Sequence, residues 1–272
     1  MQAASRESLA AAGDRITPVL DAADAGALRT LGDELFAVLQ VLTTERVLRR
    51  HLADPSTEAD ARKALADRVF TGKIGDTALA QLGGLVSSRW SSSADLLDAI
   101  ELLSRRALLA IAEKDGSGED VEDELFRFGR ILDGQPRLRT LLADTSHPVD
   151  GRVSLLDGLI EAKVSPVTRA LLEQAVRLPR DVSLELLVAR LAELAAAQRD
   201  RSVAHVTAAA PLTDEQERRL AQVLGTIFGR PVSVQVELDP DVLGGLVIRV
   251  GDEVIDGSVA ARLAKARQDL PS

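Results

Sequence analysis

Slid against itself by 90 residues, the chain meets a copy of itself. "DELFAVLQVLTTERVLRRHLADPS" (33 to 56) lies over "DELFRFGRILDGQPRLRTLLADTS" (123 to 146) without a gap. Agreement continues at Arg62/Arg152, Leu65/Leu155, Asp67/Asp157, Lys73/Lys163, Leu82/Leu172, Val86/Val176, Ser93/Ser183 and Leu96-Leu97/Leu186-Leu187. About a third of the aligned positions are identical, and Asp-Glu-Leu-Phe and Leu-Ala-Asp repeat in register, which shared leucine content does not produce. The period is too long for a helix-pair solenoid. Each copy supplies about five or six helices, enough for a small bundle of its own.

Within the copies the pattern is helical. Leu28, Leu31, Leu35, Val38, Leu39 and Leu42 recur at helical spacing, a stripe that must be buried against other helices. Similar stripes run to about residue 200, punctuated at Asp54-Pro55, Gly72, Ser91-Ser92-Ser93 and Gly116-Ser117-Gly118. The helix around 92 to 113 is expected to end the first bundle and to begin the second, with Asp115 to Asp120 as a flexible polar link. Aromatics make up 2% of the chain, with no Tyr and the single Trp90, so the cores must be aliphatic, which suits helix-on-helix packing.

The charge balance excludes some functions. A net charge of -9 argues against a broad nucleic-acid footprint, which needs clustered cations. Arg49-Arg50-His51 and Arg105-Arg106 are short, lie in acidic surroundings and read as solvated helix faces. Without cysteine the chain has no disulfide or thiolate chemistry, which fits a reducing compartment. No apolar run approaches the roughly 18 residues of a membrane span, and "MQAASRESLAAAGDRITP" lacks a signal peptide's apolar block. The expectation is a cytosolic chain that serves a membrane only through partners.

After about residue 200 the pattern changes. Val203, His205 and Thr207 alternate with Ala204, Val206 and Ala208, a strand stopped by Pro211. Thr213 and Gln216 form a capping-box start for a helix with Leu220, Val223, Leu224, Ile227 and Phe228 on one face, ended at Gly229 with Pro231 behind it. Residues 232 to 238 are the next strand, with Val232, Val234 and Val236 on one face. Asp239-Pro240 turns the chain, and Gly244-Gly245 permits a bend or close approach before a strand in which Leu246, Ile248 and Val250 share a face. Gly251-Asp252 fits a two-residue hairpin loop with Gly at a positive φ. Asp256-Gly257 turns again, and Ser258 caps a final helix. A phosphate loop, G-x-x-x-x-G-K-[ST], is absent; Asp256-Gly257-Ser258 could bind an anion weakly at the helix start, though a plain turn and cap accounts for it.

Together these patterns predict a mainly α chain with a small α+β C-terminal domain. Two tandem helical bundles (1–112 and 113–200) precede a strand-helix-hairpin-helix domain (201–272).

"LDPDVLGGLVIRVGDEVIDGSVAARLAKA" resembles the C-terminal signature of the delta subunit of bacterial F-type ATP synthase, whose mitochondrial counterpart is the oligomycin-sensitivity-conferring protein. The resemblance rests on Asp239, Gly244-Gly245-Leu246, Arg249 within the run to Gly251, and Asp256-Gly257-Ser258. "VTAAAPLTDEQ" resembles the family's strand-to-helix passage. "LADPSTEADARKALADRVF" (52 to 70) is similar to the family's Leu-x-x-Pro…Lys…Leu-Leu segment; the second copy loses that Pro and has Val153 for Lys63. "SRESLAAA" (5 to 12) sits where the family begins with Arg-x-Tyr-Ala-x-Ala-Leu, but lacks the Tyr, and Pro18 interrupts the helix. The family has one helical bundle, and the duplication resembles the actinobacterial delta subunits.

The resemblance implies a non-catalytic stator without cofactors. It would hold the amphipathic N-terminal helix of an alpha subunit and grip the peripheral-stalk b subunit, with the beta subunit as a further contact. It would lie on the cytoplasmic face of the cell membrane, and rotor torque would then drive ATP synthesis. The helix groove would lie between the first and fifth helices of a bundle. In the first copy these offer Leu9, Ile16, Leu79, Leu82, Gly83 and Val86, and in the second Leu102, Leu109, Leu172, Ala175 and Val176. Gly83-Gly84 costs roughly 1 kcal/mol per Gly inside a helix, which the close approach of another helix would justify. For each of these residues taken singly, an ordinary core stripe is the plainer reading.

Two other readings stay open. An enzyme would need converging groups, and none converge in the sequence: His51, His147 and His205 lack metal spacing, and no G-x-S-x-G or H-E-x-x-H occurs. A generic adaptor would bind amphipathic helices without preference for ATP synthase subunits.

Overall fold

The computed structural model describes residues 2–180, 182–201, 203–228, 232–239, 244–251 and 253–257. The first copy begins with α1 (Ala3–Ala22), α2 (Ala25–Thr44), α3 (Arg46–Ala53), α4 (Ala59–Phe70) and α5 (Asp76–Ser87). The long α6 (Ser93–Asp115) follows, then α7 (Gly118–Gly134), α8 (Pro136–Ala143), α9 (Val149–Ile160), α10 (Pro166–Arg177) and α11 (Leu184–Arg201). Subtracting 90 from the bounds of α7 to α10 returns those of α2 to α5 within a few residues.

The duplication extends to single hydrogen bonds. Gly75 N–H donates to Glu34 Oε1 at 2.9 Å, and Ser165 N–H donates to Glu124 Oε1 at 3.0 Å, fastening the start of α5 to α2 and that of α10 to α7. Buried Arg62 donates to the Ser87 and Ser88 carbonyls at 3.2 and 3.0 Å; buried Arg152 donates to the Val176 carbonyl at 2.6 Å. Each arginine thereby satisfies carbonyls that a helix end leaves without a partner.

Helix α6 serves both copies. It packs along α1, α2, α3 and α5 on one side and along α7 and α10 on the other, so nearly all its length is buried. Leu96, Leu97, Ile100, Leu103, Ala107 and Ala110 join Ile16, Leu28, Leu35, Leu39, Leu42, Leu52, Leu82 and Leu85 in one aliphatic core. Each fully buried Leu or Ile contributes about 1.5–3 kcal/mol of transfer free energy. Trp90, the lone indole, donates Nε1–H to the Leu85 carbonyl at 2.7 Å, so its polar edge is not stranded in that core.

Three expectations for this region are corrected. Asp115 to Asp120 is not a flexible link: Gly116 closes α6 in the left-handed region at φ 77°, Asp115 accepts from Ser117 N–H at 3.0 Å, and α7 starts at Gly118. Pro18 does not interrupt α1, which continues to Ala22 with Pro18 inside it; the loss is one intrahelical hydrogen bond rather than the helix. Arg105 and Arg106 are not a solvated face. Arg106 donates toward the Gly13 carbonyl and Thr17, while Arg105 pairs with Glu101. Glu101 also accepts from Arg180 at 2.6 Å, which reaches Asp98 at 2.8 Å. Burial pulls the Arg105 guanidinium pKa down, and Glu101 pushes it back up.

The chain divides into two compact units, Met1–Glu193 and Leu194–Ser272. In the second unit β1 (Val203–Ala208), α12 (Asp214–Phe228), β2 (Ser233–Leu238), β3 (Leu246–Val250) and β4 (Glu253–Asp256) build a sheet in the order β2-β1-β3-β4. β1 and β2 are parallel and the other pairs antiparallel. Ala204, Val206, Ile248, Val250 and Leu224 form the buried heart of this unit. The capping box that opens α12 is present in full: Thr213 N–H donates to Gln216 Oε1 at 2.8 Å, and Gln216 N–H donates to Thr213 Oγ1 at 3.3 Å.

Candidate functional site

The first unit carries a trough of about 820 Å³ between α1, α2 and α5. Pro18, Val19, Ala22 and Ala23 form one wall; Ala27, Thr30, Leu31 and Glu34 form the second; Gly75 to Thr77, Ala80 and Gln81 form the third. The trough exists because these positions carry small side chains. On α5 the residues Ala78, Leu82, Leu85 and Val86 turn into the core, which leaves Thr77, Ala80 and Gln81 on the outer face at helical spacing. Glu34 and Asp76 make its rim acidic at one end, with Glu34 fixed by the Gly75 amide. A trough with apolar walls and a charged rim suits the apolar face of a helix, with a cation on its flank.

The expected groove lay between α1 and α5, as does this trough, but the nominated side chains are elsewhere. Ile16, Leu82, Gly83, Val86, Leu109, Leu172, Ala175 and Val176 are all buried, and Leu9, Leu79 and Leu102 are half-buried. Leu9 and Leu79 pack against the first core. The buried members face inward and hold the bundle together, while Leu9, Leu79 and Leu102 keep part of their surface exposed. Gly83 and Gly84 also have an internal explanation. A Cβ on Gly83 would stand 3.3 Å from Lys63 Cε, and one on Gly84 would stand 2.9 Å from Arg15 Nε. The close approach is made by side chains of α4 and α1, so no outside helix is needed to account for the pair. Leucine stripes were the visible signal; Ala22, Ala27, Thr77 and Ala80 were not, because a small residue is conspicuous only once its neighbours are placed.

In the second unit the signature residues build a hairpin. Gly244 and Gly245 stand at φ 110° and 83°, a conformation L side chains rarely adopt, and they bend the chain into β3. Gly251, at φ 57°, begins the two-residue loop between Val250 and Glu253. Gly257 N–H donates to the Leu246 carbonyl at 2.9 Å, where a Cβ would come within 3.2 Å of the same oxygen. Arg249 points out from the sheet and pairs across it with Val254. Leu246 is half-buried against the core of the unit, Asp256 ends β4 opposite Val247, and Asp239 N–H donates to the Ala208 carbonyl at 3.0 Å. Ser258 and the helix expected after it lie outside the described residues, as do Gly229, Pro231 and Pro240.

The apolar face of α12 is only partly used inside the unit. Leu224 is buried and Leu220 and Phe228 pack on the core, but Val223 and Ile227 are 46% and 60% exposed. The expected shared face is thus only partly buried. A depression of about 270 Å³ beside it is lined by Leu212, Gln216, Arg219, Leu220, Val223 and Leu246.

Among the described residues no group of His, Asp and Glu could hold a metal ion, and no helix is long and apolar enough to cross a membrane. The three histidines are far from such a role: His51 and His205 are exposed, and His147 stands 3.6 Å from Asp144.

Comparison with known proteins adds what geometry cannot. A family model described as ATP synthase delta (OSCP) subunit matches residues 105–270, which take in the second copy and the C-terminal unit. Two proteins named ATP synthase subunit b-delta, from Mycobacterium sp. strains KMS and JLS, are each 50% identical over 271 residues. The match covers 100% of this chain but 61% of each relative, so the chain spans about three fifths of the length of the curated relatives it matches. A chain of the Toxoplasma gondii mitochondrial ATP synthase hexamer aligns at 23% identity and a TM-score of 0.32, over 62% of this chain and 96% of that one. A likeness of that size carries no argument.

Proposed function

The chain belongs to the ATP synthase delta (OSCP) subunit family, and from that membership we propose that it is a non-catalytic stator subunit of an F-type ATP synthase. It links the alpha/beta head to the peripheral stalk, at the cytoplasmic face of the membrane, so that the head is held while the rotor turns. The observation that carries the reading is the trough between α1, α2 and α5. Its volume, small-residue walls and acidic rim suit one amphipathic helix, and the N-terminal helix of an alpha subunit is the proposed occupant. The exposed Val223 and Ile227 on α12 are the proposed seat for a b-subunit helix. The relatives' name, subunit b-delta, supports a b partner.

The test is calorimetric titration of the full chain with a synthetic N-terminal peptide of its organism's alpha subunit. Saturable binding, lost when the peptide's apolar face is made polar, is the expected result. Absence of binding at high micromolar peptide would leave a generic helical adaptor as the better account of the bundles.

A further inference from the structure

We infer that the groove of the second bundle is closed from within by the first bundle, so the chain offers a partner helix one groove, not two. The inference deepens the groove reading above and rests on it for the identity of the occupant, but the closure itself is a separate claim.

The repeat makes the comparison residue by residue. Pro18, Thr77, Ala80 and Gln81 line the open trough; 90 residues on stand Leu108, Val167, Ala170 and Leu171. In the first copy Pro18, Thr77 and Ala80 are exposed and Gln81 is half-buried. In the second, Leu108, Val167, Ala170 and Leu171 are 0%, 4%, 3% and 0% exposed. The chemistry changed with the burial, since a proline, a threonine and a glutamine have become two leucines and a valine. Left open to water, that lining would be a contiguous apolar patch of the kind monomeric proteins avoid.

The filler is α2. Its Gly32 has no side chain, and a Cβ there would stand 2.9 Å from Leu108 Cδ2 and 3.2 Å from the Ser104 carbonyl. Ser104 Oγ donates to the Gly32 carbonyl at 2.7 Å while accepting from Gln174 Nε2 of α10 at 3.1 Å. One hydroxyl therefore ties α2 of the first copy, α6, and α10 of the second together in the interior. Because α6 is the last helix of one bundle and the first of the next, the flank on which a groove would open already lies against α2. The α1 flank of the open trough meets no such helix among the described residues. The assignment runs against the alignment, since the family model falls on the second copy and would nominate α6 and α10.

The chain has no cysteine, so single thiols report the two sites in the intact protein. Ala80 and Ala170 are the same residue at the same repeat position, and Cys replaces either with little change in volume. With far-UV circular dichroism confirming the fold, Ala80→Cys should react with a maleimide about as fast as a free thiol, and Ala170→Cys about a hundredfold more slowly, through transient opening only. The alpha-subunit peptide should then protect Ala80→Cys and leave Ala170→Cys unchanged. Equal fast labelling of both, or peptide protection of Ala170→Cys, overturns the inference. Slow labelling of Ala170→Cys with no peptide effect at Ala80→Cys upholds the closure and instead sinks the alpha-helix reading.

Discussion

Helices α1, α2 and α5 leave a trough lined by exposed residues, while the side chains at the matching positions of α6 and α10 are buried, although both copies are tied by matching hydrogen bonds. Glu34 holds the Gly75 amide as Glu124 holds that of Ser165, and Arg62 and Arg152 cap the same helix end. The scaffold was duplicated, but the surface was not. What differs is whether the α1-type flank is covered, and the side chains have followed: small and polar where water or a partner meets them, Leu and Val where they are buried. A partner site can thus be lost by burial without loss of the fold that built it.

The largest expected effect comes from prying α2 off α6. Gly32→Leu would drive a side chain into Leu108 and the Ser104 carbonyl, and overpacking of that kind costs about 3 kcal/mol. Chemical denaturation should show the loss; a change below about 0.5 kcal/mol would mean that α2 and α6 are not held tightly. Gly83→Leu, at a site lined by the flexible Lys63, should cost less, and its effect should fall on stability rather than on binding.

Next comes a crossed pair that separates an open site from a closed one. Ala170→Leu adds volume to a filled interior and should destabilise by about 1–3 kcal/mol with peptide affinity unchanged. Ala80→Leu fills the open trough and should weaken the peptide about tenfold or more, equivalent to about 1.4 kcal/mol, at near-constant stability. Calorimetry and urea unfolding of both variants decide the matter. If the two substitutions behave alike, the copies do not differ in the way described.

The crossing also marks what the sequence could reveal. The helices, the shared α6, the capping box at Thr213 and the positive-φ glycines of the hairpin were all legible, because each depends on local pattern or on a backbone rule. The trough residues were not. A helix shows its core face by its leucines, and Leu82 and Val86 stood out for that reason, yet they face inward. Ala80 and Thr77 acquire meaning only from the distance between α1, α2 and α5, which no single helix encodes. The burial of Arg105 was hidden for a similar reason, because its partner Glu101 is visible at i−4 but the helices that enclose the pair are not. Val223 and Ile227 show the complementary limit: the sequence places them on the apolar face of α12, but not that they stay largely exposed there.

A moderate and symmetric effect is expected at the two arginines. Arg62→Met and Arg152→Met each remove charged donors from carbonyls at a helix end, while keeping most of the stem's packing. Charge-assisted bonds of this kind contribute about 1.5–3 kcal/mol. Similar losses in urea unfolding would support the duplicated scaffold. A much larger loss at Arg152 would mean that the second copy, with its additional bond to the Leu142 carbonyl at 3.2 Å, depends on the residue in a way the first does not.

The smallest effect tests the symmetry at its finest grain. Asp54 and Asp144 occupy the same turn of each copy, and both carboxyl groups are held below the ordinary carboxylate range. The leading cause in each is the side-chain hydroxyl of the serine two residues on, Ser56 or Ser146, followed by its backbone N–H, which stands 2.9 Å away in both. A pKa lowered by folding contributes stability that is present above the unfolded value, near 3.9, and lost as pH falls through the folded value. Both side chains are partly exposed, so the contribution is small and screened by salt. NMR titration should find the two aspartates low together, and Ser56→Ala and Ser146→Ala should each raise only the partner in its own copy. If one aspartate titrates at the ordinary value, the two turns have diverged as the grooves did, and the symmetry ends at the helices.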